Sequence, residues 1–422
     1  MRIKSFLTTT LFYGISTAIN KGLMLIAMPF LGSVLGIGEY GLWTLSQIVI
    51  SVGAPILSLN SISGIIREGV ENEKVGYSSF IRYSILVLLV SLVIGFILIF
   101  LPSTWLWYTI ILILIESFQN NLLGWYRARD RHINYFVLIL LKLLALMASI
   151  FIVKSEPSLD QLLFYQIVLG AMFILPFYVK ELFYSVYEKI PIAFKGTLIF
   201  SALLIPHGVA QWIMSGSDRL IIKYVLNDLE LGKYSLAYTL AMVLMIVNSG
   251  FALTIPNFIL KDYETWVSGN KKVKILFLYC IVTILITVVL IFSIDFVKPY
   301  ISLLNEVDRT VKEIIVWLVN GIYLLGIYFF YVNILFYHRK SKIVSSITLV
   351  TALINLLGTY IFVKKIGIYG AAIVTFASYL IYLGLFIYES SKIEKRVFKY
   401  LKVELMLIVL TLGVNFSVLF FI

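Results

Sequence analysis

Apolar residues run along this chain in long blocks. Read in order, the blocks fall at 7–35, 41–66, 80–101, 105–126, 133–153, 160–179, 196–226, 233–260, 272–297, 309–337, 343–363 and 369–388, with a last one at 403–422. Such blocks match the roughly 20 residues that a helix needs to cross the hydrocarbon layer. A membrane β-barrel would alternate apolar and polar positions, and these blocks do not. The pattern predicts an all-α polytopic membrane protein with about twelve transmembrane helices, or thirteen if 403–422 also crosses. The first block is too long for the core of a secretory signal and is expected to be a retained helix. The connecting segments are short and leave no room for a soluble domain on either face.

Composition agrees, with 61% hydrophobic and only 13% charged residues, a balance that would not keep a soluble domain of this size dissolved. The net charge of +12 raises the question of nucleic acid, and its distribution answers it. With the N-terminus on the cytoplasmic side, 23 of the 34 Lys and Arg fall in the cytoplasmic segments and eight in the outer ones. That asymmetry follows the positive-inside rule and fixes the orientation. The basic balance therefore reports topology, with some attraction to anionic lipid headgroups, and nucleic acid is not an expected partner. Cys280 is the only cysteine, so neither an internal disulfide nor a cysteine metal site is expected.

The first twelve spans divide into six and six. The expected organisation is an N-terminal half at 1–179, a cytoplasmic linker at 180–195, a C-terminal half at 196–388, and a basic segment with a final helix at 389–422. A loose repeat supports the division. Ile37 to Ser46 reads IGEYGLWTLS and Leu231 to Leu240 reads LGKYSLAYTL, 194 positions later. Six crossings per half give both halves the same orientation, a parallel-repeat plan with the substrate site near the midplane. Gly367-Ile368-Tyr369-Gly370 repeats the tetrapeptide, so the motif also reads as a helix-start device.

The stretch MPFLGSVLGIGEYGLWTLSQIVIS across the first two spans, and IMSGSDRLIIKYVL in the seventh, resemble Wzx-type O-antigen and polysaccharide flippases of the multidrug/oligosaccharidyl-lipid/polysaccharide (MOP) exporter superfamily. The resemblance covers most of the chain in length, span number and loop size. It implies a MATE-like V-shaped bundle of two six-helix halves around a hydrophilic cavity, in the bacterial inner membrane. It further implies a polyprenyl-pyrophosphate-linked oligosaccharide, such as an O-antigen unit for lipopolysaccharide, moved from the cytoplasmic to the periplasmic leaflet. A polysaccharide polymerase and chain-length machinery would be its partners.

Ionisable groups inside a membrane usually face a cavity or each other, because burying them bare costs a few kcal/mol or more. Lys21 lies 14 residues into the first span, about 21 Å at the helical rise and so close to mid-depth. It is read as a cationic wall residue that attracts a pyrophosphate, against a structural ion pair or a snorkelling lysine. Lys142 sits at the centre of the fifth span. His207, Gln211, Ser215 and Asp218 form one stripe along the seventh, with Pro206 expected to kink the helix there, and Arg219 beside the stripe. Asp218 and Arg219 read equally as a packing lock. Asn60, Ser63 and Arg67 share a face of the second span, with Arg67 near the inner interface as an anchor. Glu116 is a titratable acid at membrane depth. It would couple transport to a proton or sodium gradient, as Asp218 would, or neutralise Lys21 or Lys142. The expected substrate-binding set is Lys21, Lys142, His207, Gln211, Asp218 and Arg219.

Two other classes compete. An organic-cation exporter of the same superfamily should have an acid-rich cavity, whereas Lys21, Lys142 and Arg219 outweigh Glu116 and Asp218. A membrane polymerase or transferase should carry a substantial outer loop. No nucleotide-binding loop, metal cluster or nucleophile–base pair is legible. Neither catalysis nor a cofactor is expected.

Overall fold

The structure, a computed structural model, describes residues 3–98, 103–154, 157–183 and 194–421. Most of the expected linker at 180–195 lies outside the described residues. Helices follow one another from α1 (Ile3–Leu31), α2 (Ile37–Leu57), α3 (Ser61–Glu71), α4 (Glu73–Leu98), α5 (Thr104–Ala128) and α6 (His132–Val153) to α7 (Leu159–Phe183) and α8 (Lys195–Ala202). They continue with α9 (Ile205–Val225), α10 (Asp228–Ala241), α11 (Val243–Lys261), α12 (Tyr263–Val267), α13 (Asn270–Val297), α14 (Arg309–Tyr337), α15 (Ser341–Ile393) and α16 (Leu401–Ser417). Among the described residues there is no strand. Eleven helical segments there are long and apolar enough to cross a membrane, or twelve when α10 and α11, bent by 49°, count as one span. The chain is a multi-pass membrane protein.

Several spans are broken, and the sequence explains most of the breaks. α8 stops at Ala202 and α9 starts at Ile205, which puts Pro206 in a first helical turn, where its missing N–H leaves no bond unmade. The 53 residues of α15 would measure about 80 Å as one rod. They do not form one, because Ile366 (φ −134°) and Gly367 (φ 64°, ψ −149°) leave helical geometry. The arms fold back as an antiparallel hairpin. Thr348 meets the Tyr382 hydroxyl at 3.1 Å, Asn355 donates to Ser378 at 3.2 Å, and Gly358 faces Val374. The second block differs from the expected continuous helix. Leu59 (φ 51°) and Asn60 (φ 52°) are left-handed, so Asn60 precedes α3 and does not share a helical face with Ser63 and Arg67.

The chain forms two compact units. The first comprises residues 1–23, 33–35 and 43–209, and the second 24–32, 36–42 and 210–422. Residues 196–209, expected with the C-terminal half, thus pack in the first unit. There Thr197 donates to Glu68 at 2.9 Å and the Tyr83 hydroxyl reaches Ser201 at 2.8 Å, tying α8 to α3 and α4. The core of this unit is aromatic, with Phe80 stacked on Trp125 and Tyr178. The indole of Trp125 donates to Glu181 at 2.8 Å, and Arg131 pairs with the same carboxylate at 2.9 Å.

In the second unit α14 is the central helix. It is apolar on nearly every side and 83% of its span is buried, as expected of a helix with protein all around it. The repeated motifs meet here. A Cβ on Gly41 would come within 2.6 Å of the Gly232 nitrogen, and one on Gly232 would strike the Ile37 carbonyl. The Tyr40 hydroxyl then reaches Thr239 at 2.9 Å.

Candidate functional site

Within the first unit, α1, α2, α5, α6 and α7 enclose a cavity of about 60 Å³. Its polar lining is Gln47, Glu116, Gln119, Lys142 and Gln166, and the rest is aliphatic apart from Phe173. Glu116 and Gln119 are three apart and so share a face of α5. Lys142 is the one Lys or Arg in α6, set in the apolar run 136–147. Its ammonium lies 2.7 Å from the Glu116 carboxylate and 3.3 Å from the side-chain oxygen of Asn20 on α1. At that separation attraction amounts to about 6 kcal/mol at an effective dielectric constant of 20, set against several kcal/mol of desolvation per ion. The pair is near break-even as a source of stability, and its main consequence is that neither charge is left bare.

The amides complete the lining. Gln47 donates to Gln166 at 3.5 Å, and Gln119 donates to the Leu138 carbonyl at 3.3 Å. The Gln166 nitrogen is buried with no acceptor. Lys21, one residue beyond Asn20, is exposed on α1 and has no ion-pair partner among the described residues. Glu116 therefore neutralises Lys142, not Lys21.

The other expected residues lie elsewhere. His207 is half-buried near the start of α9, with its Nδ1 unpartnered, and Gln211 one turn on is exposed. Asp218 and Arg219 belong to the second unit and are each 2% exposed. Asp218 accepts from the Tyr234 hydroxyl at 2.5 Å and from the Arg219 backbone N–H at 2.8 Å. The Arg219 guanidinium lies 3.9 Å above the Tyr238 ring and 3.9 Å from Asp218. In this conformation neither group is open to a ligand. The structure thus gathers Lys142 and Glu116 in one unit, with Lys21 on the neighbouring helix, and Asp218 and Arg219 in the other.

Two features escaped the sequence reading. Gln47 and Gln166 were passed over because single amides in apolar blocks carry little signal. Lys272 was counted with the basic loop, yet it is buried and pairs at 2.8 Å with Glu404, which also accepts from Tyr331. An acid two residues into the apolar block at 403–422 was the available clue. Among the described residues no cluster of His, Cys, Asp and Glu has the makings of a metal site.

No protein-family model and no curated protein matches the chain. Solved structures do. An inward-facing multidrug resistance transporter of the MATE family in the MOP superfamily matches with a TM-score of 0.61 at 13% identity, over 90% of this chain and 96% of that one. The Vibrio cholerae MATE transporter VcmN matches at 0.60 and 15%, over 94% and 98%. The lipid II flippase MurJ, inward closed, matches at 0.62 and 14%, over 97% and 98%. The fold is therefore the one shared by MATE transporters and this flippase, and these neighbours are transporters, not enzymes.

Proposed function

We propose that the chain is a flippase for polyprenyl-pyrophosphate-linked oligosaccharide, carrying it from the cytoplasmic to the outer leaflet of the bacterial inner membrane, with the N-terminus cytoplasmic. The observation that carries this reading is Lys21, an exposed cation at mid-depth with no counter-ion among the described residues. A pyrophosphate and many hydroxyls cannot be drawn through hydrocarbon bare, since each unpaired polar group costs several kcal/mol. An uncompensated ammonium offsets the phosphate charge, and the amides of Gln47, Gln119 and Gln166 replace water on the hydroxyls. His207, in the same unit, would add a further polar group. In the second unit Gln211 would offer a further polar contact, and Asp218 and Arg219 would do so in a conformation that opens them. Proton or sodium movement through Glu116 or Asp218 would supply the driving force, and a polysaccharide polymerase would take the product.

A second reading, an organic-cation exporter, is favoured by the likeness to MATE transporters. Against it stands the charge at mid-depth in the first unit, where Glu116 is already paired and Lys21 is not. Deleting the gene and resolving surface polysaccharide on gels discriminates. The flippase reading requires loss of long-chain polysaccharide, accumulation of lipid-linked units on the cytoplasmic side, and recovery with the intact copy. Unchanged polysaccharide with new sensitivity to organic cations supports the exporter.

A further inference from the structure

Resting on that reading, the cavity of the first unit divides the substrate between two kinds of recognition. Lys21, Glu116 and Lys142 stand at mid-depth on α1, α5 and α6 of this unit, and His207 lies on α9. Lys142 and Glu116 are 2.7 Å apart, so together they present a dipole with no net charge. Lys21 has no ion-pair partner among the described residues. The remaining polar lining consists of neutral amides, and among the described residues that line the cavity no other side chain is titratable. Gln166, 8% exposed, lines this space, and its side-chain N–H₂ is buried without a partner. A buried donor without an acceptor calls for one. A volume of about 60 Å³ is several times what one water needs, enough for a hydroxyl-bearing group.

We infer that this cavity is a net-neutral hydroxyl-binding subsite, in which Glu116 masks the charge of Lys142 so that the anionic part of the substrate is left to Lys21. Glu116 is then a specificity residue. It keeps a second cation from competing for the pyrophosphate and holds the Lys142 ammonium as a hydrogen-bond donor beside Asn20, Gln119 and Gln166. A neutral polyhydroxyl group fits such a lining. A second phosphate or an acidic sugar does not.

The test is binding of inorganic pyrophosphate to the purified full-length chain, measured by titration calorimetry in lipid nanodiscs. Glu116→Gln unmasks Lys142 and should bind pyrophosphate about tenfold more tightly than the unaltered chain, the value of one added charge-assisted contact. Adding Lys142→Gln should return the affinity to its starting level. The inference is overturned if Glu116→Gln binds no more tightly, or if the double variant keeps the gain. Should Glu116→Gln fail to fold, Lys142→Gln carries the test. Its bare carboxylate must weaken pyrophosphate binding, and unchanged affinity overturns the masking. The flippase reading fails separately, on Lys21→Ala leaving pyrophosphate binding intact.

Discussion

Single charged residues decide most of what is distinctive here, and each is governed by whether a partner lies within reach. Lys142 has Glu116. Arg219 has Asp218 and the face of Tyr238. Lys21 has no ion-pair partner among the described residues. Lys272 and Glu404 are as deeply buried as any of these pairs, at 3% and 1% side-chain exposure, and removing one member of such a pair leaves the other bare in low dielectric. Lys272→Met should therefore lower stability by about 3–5 kcal/mol, whereas Lys272→Met with Glu404→Gln should recover most of the loss. Thermal unfolding of the purified protein in detergent checks both. Residues of this kind were only half legible in the sequence. Depth along a span can be counted, so Lys21, Glu116 and Lys142 stood out as membrane-depth charges. Which of them meet depends on how helices distant in sequence pack. For that reason Glu116 was left open between two lysines, and Lys272 was read as a loop charge.

Among the elements, the α15 hairpin and the segment that follows it show how local chemistry turns the chain. Gly367 adopts a conformation that residues with a Cβ avoid, and no atom lies within 4 Å of where its Cβ would be. The penalty for a side chain there is therefore backbone strain alone. Gly367→Ala should lower stability by about 1–3 kcal/mol, while Gly384→Ala, in helical backbone of the same element with open space around it, should be neutral or slightly stabilising. Beyond the hairpin, Arg396 bonds both Glu394 and Glu264. The bond from Arg396 holds the Glu394 carboxyl below its ordinary value of 4.5. A lowered carboxyl contributes its stability above the unfolded value and loses it as pH falls through the folded one. Hydrogen exchange across 394–400 should accordingly quicken as pH drops below 4.5 once intrinsic rates are corrected, and Arg396→Ala should remove that dependence. The helices themselves were legible because a crossing helix is long and continuously apolar. The break at Asn60 was not, since the polar residues around it are equally at home on a helical face.

For the whole molecule, the span pattern, the basic asymmetry and the shortness of the connecting segments were enough to predict an all-helical multi-pass membrane protein, and structural neighbours at 13–15% identity share its fold. Fold alone does not choose between a drug exporter and a lipid flippase, because both kinds of protein are among those neighbours. The choice rests on charge at mid-depth in the first unit, where Glu116 neutralises Lys142 and Lys21 has no ion-pair partner among the described residues. It is tested most directly by reconstituting the full-length chain in vesicles and measuring transbilayer movement of a polyprenyl-pyrophosphate-linked oligosaccharide, alongside uptake of a fluorescent organic cation. The account predicts protein-dependent movement of the lipid-linked sugar that falls about tenfold or more with Lys21→Ala, the loss of one charge-assisted contact. Vesicles that take up the cation while the lipid-linked sugar moves no faster than without protein would contradict it.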